Sequence, residues 1–230
     1  MQRVRNISGQ SPIIIVAPHG YEGDDERTAL ISEEIANKLN AFAVINLGWE
    51  RCNKVDFMQD KADCNNVIHC LEDVVREEFL EPIVRYKSKI LAKHSMVNIF
   101  YIHGMSNKHR KISNDPKLDI VVGYGAGHPN SFSCEDWKKN LFIYLLERNG
   151  INAYEGASGG YMSGWNKNNM NQLFRKWYYE RNVQSMQIEI IHELRKTNGA
   201  AKYTAGLLAE LIDETVKAKS FSQVIYCKSY

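Results

Sequence analysis

The run Ile13-Ile14-Ile15-Val16-Ala17, closed by Pro18-His19-Gly20, constrains this chain more than any other segment. Four β-branched residues in a row read as a buried strand, and Pro-His-Gly stops it. A second run, Val97-Asn98-Ile99-Phe100-Tyr101-Ile102, ends the same way in His103-Gly104. Both histidines therefore stand at strand C-terminal ends, where open α/β sheets place their chemistry. His19 and Glu22, three residues apart, can bind one metal ion together if His103 supplies the third ligand. The plainer alternative is a capped strand end followed by a stray acid. The other such pair, His69 and Glu72, falls in a helical run and reads as solvated neighbours on a helix surface.

Around these two strands the pattern alternates. Strands are predicted over 13–17, 41–47, 97–102, 119–123, 151–154, 183–190 and 223–227. Helices are predicted over 26–39, 66–92, 134–149, 169–179 and 200–219. The alternation implies an α/β protein, a three-layer α/β/α arrangement with a mostly parallel or mixed central sheet. No repeat, low-complexity tract or Pro/Gly-rich linker interrupts the sequence, so residues 1–230 read as a single domain.

In the run 183–190, Gln187 and Glu189 share one strand face while Met186, Ile188 and Ile190 share the other. An acid there is a candidate general base beside a metal, or a solvent-facing acid on an edge strand. Gly159-Gly160-Tyr161 can let backbone approach a ligand, or can form a simple turn with a core tyrosine. Asp25 reads as a helix N-terminal acid or as a group that orients a histidine from behind.

Composition narrows the function classes. Hydrophobic residues make up 44% and charged residues 24% of the chain, and the net charge is +2. That balance gives no electrostatic case for nucleic acid or an anionic membrane. No apolar stretch approaches the ~20 residues that span a bilayer. Five cysteines, without a Cys-x-x-Cys pair, fit reduced thiols and a cytoplasmic location better than a disulfide framework.

Several segments, in order, carry a family resemblance. They are Pro18-His19-Gly20-Tyr21-Glu22, Asp63-Cys64-Asn65-Asn66, Ile102-His103-Gly104, the run 119–125, Gly159-Gly160-Tyr161 and Gln187-Ile188-Glu189. Together the chain resembles the N-formylglutamate amidohydrolases, whose zinc carboxypeptidase-like fold is of the phosphorylase/hydrolase-like type. The resemblance implies one Zn²⁺ per chain held by His19, Glu22 and His103, with Glu189 as the catalytic carboxylate. It also implies hydrolysis of an amide bond in a small acylated amino acid, with Asn65 touching the substrate. Gly160 and Tyr161 are candidate substrate contacts beside it.

Two departures stand out. Where relatives carry Asn-Arg to grip a substrate carboxylate, this chain has Asn65-Asn66, which offers no bidentate cation. Arg51, Arg175 and Arg181 are candidates to supply that charge from elsewhere, and Arg175 is the expected contact. The expected His-Ser dipeptide is His103-Gly104. Competing readings are a carboxypeptidase-like or poly-γ-glutamate-type peptidase and a non-catalytic binding protein on the same fold.

Overall fold

The structure is a computed structural model that describes residues 2–112 and 115–220. Seven strands form one mixed sheet: β1 (Val4–Ile7), β2 (Ile13–Ala17), β3 (Phe42–Asn46), β4 (Val97–Met105), β5 (Ile120–Gly123), β6 (Ala153–Glu155) and β7 (Val183–Ile191). Their spatial order is β1-β3-β2-β4-β7-β5-β6. The central strands β3, β2, β4 and β7 run parallel, while β1 joins β3 and β5 joins β7 antiparallel. The expected α/β sheet is present, mixed rather than purely parallel.

Four longer helices cover it: α1 (Thr28–Leu39), α2 (Glu81–Leu91), α3 (Asp136–Arg148) and α4 (Asn198–Lys217). Helices α1, α3 and α4 bury Ile31, Ile35, Leu141, Phe142, Leu145 and Leu208 against Ile15, Phe100, Ile102, Met186 and Ile188. Alanines at 201, 205 and 209 let α4 approach its neighbours closely. On the opposite face, Phe79, Leu80, Ile83, Tyr86 and Ile90 pack on Ile14, Val16, Val44, Ile99 and Tyr101. Side chains alternate between faces, so His103, two residues beyond Tyr101, projects toward this second layer.

The strands expected over 13–17, 41–47, 97–102, 119–123, 151–154 and 183–190 are all present, and the differences elsewhere have physical reasons. β1 was not foreseen, because four residues with a half-polar pattern give little periodicity. The expected helix 66–92 is broken. Asn66 accepts from the Ile68 N–H to start a short turn, Val67–Cys70. A π-type turn, Arg76–Leu80, then precedes α2. Pro82 has no N–H to give, so the regular ladder is interrupted where that wider turn lies. The expected helix 169–179 is a 3₁₀ turn, Met170–Gln172, followed by a π-type turn, Leu173–Trp177. The strand expected over 223–227 lies outside the described residues. Among those described, no helix is long and apolar enough to cross a membrane.

Candidate metal and catalytic site

The site forms where three adjacent strands end. β2 feeds β3 on one side, and β4 enters on the other, so the chain switches direction around β2. His19 follows β2 directly, and His103 lies near the end of β4. Both imidazoles are 2% exposed, with ring centroids 5.1 Å apart. The third member is Asp25. Ligand-type atoms of His19, Asp25 and His103 all lie within 4.8 Å of one another.

Asp25 faces the Nδ1 side of both rings. Its Oδ2 is 3.5 Å from Nδ1 of His19 and 3.5 Å from Nδ1 of His103, and it accepts from the Gly104 N–H at 2.9 Å. Two imidazole nitrogens and one carboxylate oxygen that converge in this way are the donor set of an open three-ligand metal site. Burial raises the Asp25 carboxyl, but the two histidines outweigh it and hold it well below the usual range. The helix start uses the Asp25 carbonyl instead, which accepts from Thr28 Oγ1 at 2.8 Å. Beyond the two roles read for Asp25, the geometry makes it a candidate third ligand.

On the Nε2 side of His19 stands another acid. Asp63 Oδ1 is 2.9 Å from His19 Nε2 and also accepts from the Asn65 N–H. Burial lowers His19, yet hydrogen bonds and charge from Asp25 and Asp63 overcome it and raise the ring from 6.5 to about 9. Asp24 lies 3.8 Å from Arg51 Nη1 through its Oδ1, and burial pushes its carboxyl up. The convergence of buried His19, Asp25 and His103 on one point fits a divalent metal.

Glu22 does not join this group. It is exposed, and the loop carries it outward before Gly23, whose φ of +100° turns the chain back to Asp24. Spacing alone favoured Glu22, whereas the turn presents the acids two and three residues later. His69 also differs from the solvated reading, since its Nδ1 accepts from the Asp63 N–H at 3.1 Å and so braces the Asp63 turn.

Glu189 is the direct neighbour of His103 across the β4–β7 pairing. It is 4% exposed, and Gln187 Nε2 donates to its Oε1 at 2.7 Å. Burial pushes its carboxyl above the usual value, partly opposed by the nearby histidines. It lies on an interior strand, not an edge. A buried carboxylate beside two imidazoles has the position a general base requires.

A cleft of ≈ 440 Å³ opens from Asp63 and is lined by Arg51, Asn65, Asn66, Gly159, Tyr161, Trp165 and asparagines 166, 168 and 169. Asn65 is buried there with Oδ1 unpartnered. Tyr161 is 66% exposed, and its hydroxyl accepts from Arg51 Nη2 at 2.6 Å. Gly160 sits on the far side of Tyr161, in a neighbouring pocket. Arg175 is elsewhere, in a separate cleft with Glu135, Arg181 and Gln184. Gln184 is five residues before Glu189 on β7, so that cleft is ~16 Å down the strand. The wider turn at Leu173–Trp177 replaces the expected helix and leaves Arg175 there, so the arginine at the site is Arg51.

Gly104 leaves room for Arg195. A Cβ at 104 would run into the guanidinium, which is buried and donates to the carbonyls of Ile190, Glu26 and Met105. Neither residue's importance was visible in the sequence pattern.

Comparison with solved structures finds the same architecture. N-formylglutamate amidohydrolase from Ralstonia eutropha superposes with a TM-score of 0.63 at 12% identity, covering 94% of this chain and 99% of that one. The likeness is one of fold. A bacteriophage poly-γ-glutamate hydrolase gives 0.53 at 16% identity, covering 93% and 87%. A metallo-carboxypeptidase from Pseudomonas aeruginosa gives 0.50 at 13% identity, covering 92% of this chain and 61% of that one. No protein-family model and no curated protein sequence matches the chain. The fold expected from the ordered motifs is thus present.

Proposed function

We propose that the chain is a metal-dependent hydrolase that cleaves a C–N amide bond in a small acylated amino acid. The observation that carries this reading is the pairing of buried Glu189 with buried His103, which converges with His19 and Asp25 on one point. Fold neighbours described as an amidohydrolase, a poly-γ-glutamate hydrolase and a metallo-carboxypeptidase support it.

In this reading His19 and His103 hold one zinc through the Nδ1 atoms that face Asp25, and Asp25 supplies the carboxylate where Glu22 was expected. Zinc bound there would supply Lewis-acid polarisation and acidified water. Asp63 holds His19 Nε2 from the other side and so keeps that ring in the tautomer that presents Nδ1. Glu189 accepts a proton from the attacking water and returns it to the amide nitrogen as the C–N bond breaks, giving a carboxylic acid and an amine. Gln187 keeps the Glu189 carboxylate aimed across the sheet face. Arg51 and Asn65 hold the carboxylate of the amino-acid part, and the partner is a small molecule rather than nucleic acid.

Elemental analysis of the purified protein, followed by assay against formyl and acyl amino acids, tests this. About one zinc per chain and chelator-sensitive release of free amine are expected. A protein that takes up no metal on reconstitution rules the mechanism out.

A further inference from the structure

A second pocket flanks Glu189 on the side away from His103. It measures ≈ 490 Å³; Leu118, Val121, Ala157, Met162 and Tyr161 line it, together with His109, Asp115, Tyr154 and Glu155. Its relation to the catalytic strand is fixed by backbone pairing. Val121 on β5 is the antiparallel partner of Glu189 on β7, as His103 on β4 is its parallel partner. Paired residues project to the same face with Cβ atoms ~5 Å apart. His103, Glu189 and Val121 therefore form a row across three strands, with the metal ligands at one end and an apolar wall at the other. The Met162 carbonyl also accepts from Gln187 Nε2 at 3.4 Å, tying the pocket wall to the residue that holds Glu189.

Tyr161 separates this pocket from the asparagine-lined cleft, since it lines both. One side offers Arg51, Asn65 and Asn168, the last two with buried Oδ1 atoms lacking partners. The other offers the aliphatic side chains of Leu118, Val121, Ala157 and Met162, with Asp115 and Glu155 also on its lining. Val121, Leu118 and Met105 form a small buried cluster of their own, with Met162 packed against it.

Resting on the hydrolase reading above, we propose that this pocket receives an apolar acyl chain of several carbons, so that the substrate is a medium-chain N-acyl amino acid rather than a formyl one. A scissile amide at Glu189 then places its polar amino-acid part toward Arg51 and its acyl carbons along Val121, Leu118 and Met162.

The test uses the zinc-reconstituted protein and N-formyl, N-acetyl, N-butanoyl and N-hexanoyl glutamate. kcat/KM is expected to rise about fourfold per added methylene, as burial of a CH₂ implies. Calorimetry of the same series on Glu189→Gln reads binding without turnover and is expected to show the same trend in Kd. Met162→Glu flattens both trends, and the milder Val121→Thr weakens them should the charged variant fail to fold. Hydrolysis of formyl and acetyl compounds with no gain from longer chains overturns the acyl pocket and leaves the hydrolase reading intact. Kd that tightens with chain length, without turnover of any compound by the zinc-loaded wild type, supports the pocket and ends the hydrolase reading. Kd independent of chain length in calorimetry overturns the pocket whatever the turnover.

Discussion

Glu189 stands directly beside His103 in the parallel β4–β7 register, both buried and on one sheet face. Their spacing is set by backbone pairing, not by loop conformation, and groups placed on strands hold their geometry more closely than groups on loops. This is why the base and one imidazole stay aligned even though His19, Asp24 and Asp25 come from a turn.

Replacing Glu189 by Gln keeps the shape and the Gln187 contact zone but removes the proton acceptor. Turnover should fall by about 10²- to 10⁴-fold while metal content stays near that of the wild type. A variant that keeps most of its activity means the proton goes elsewhere.

Metal binding to the folded state alone should raise thermal stability, by ~2.7 kcal/mol at a hundredfold excess over Kd, and a chelator should reverse it. Glu22→Gln is expected to retain the whole shift because Glu22 is exposed. Asp25→Asn should lose much of it. The reverse pattern in a thermal-melt titration would return Glu22 to the ligand set.

Affinity measures the same substitution directly. In Asp25→Asn the amide can accept from the Gly104 N–H but presents no charge beside the two Nδ1 atoms. Metal affinity should drop at least 10- to 100-fold, read by competition with a coloured chelator. Unchanged affinity would remove Asp25 from the ligand set.

Much of the fold was readable before the structure, and the site only partly. Ile13–Ala17 and Val97–Met105 are apolar runs closed by His-Gly or His-containing ends, and such runs name both the strands and the place of the chemistry. A period of two made Glu189 a candidate, and the family resemblance, not the pattern, singled it out. The third ligand did not, because a His-x-x-Glu spacing says nothing of a loop that turns at Gly23 and brings Asp24 and Asp25 inward. Arg51 and Arg175 were indistinguishable as arginines in a list. Only the pairing of Arg51 with Tyr161, across 110 residues, separates them. The π-type turns at 76–80 and 173–177 were likewise hidden, since their composition is that of ordinary helix.

Cys134 gives a stability prediction in alkali. Burial pushes its thiol from 9.0 up to about 12. Below pH 9 both folded and unfolded thiols are protonated, so this group adds no pH dependence. From pH 9 to about 12 the unfolded thiol ionises while the folded one does not, and stability falls by ~1.4 kcal/mol per pH unit. Cys134→Ala lacks this loss, so its deficit in denaturant titrations should shrink between pH 7 and pH 10.

Gly104→Ser restores the hydroxyl dipeptide but drives a Cβ into the Arg195 guanidinium. Overpacking of this kind costs about 1–3 kcal/mol. Arg195→Lys, with a slimmer end group, should recover part of that loss in the double variant. Additive melts of the two single variants would contradict a direct clash.

The guanidinium of Arg195 binds three carbonyls: that of Ile190 beside the base, that of Met105 just past His103, and that of Glu26 just past Asp25. These three segments come from distant parts of the chain and meet nowhere else through a single side chain's donors among the bonds described here. Arg195 thus works as a rivet through the floor of the site, and Gly104 is the hole drilled for it. The two positions are free to vary only as a pair, and a change at either will be felt as a shift in the alignment of acid, imidazole and base before it is felt as unfolding.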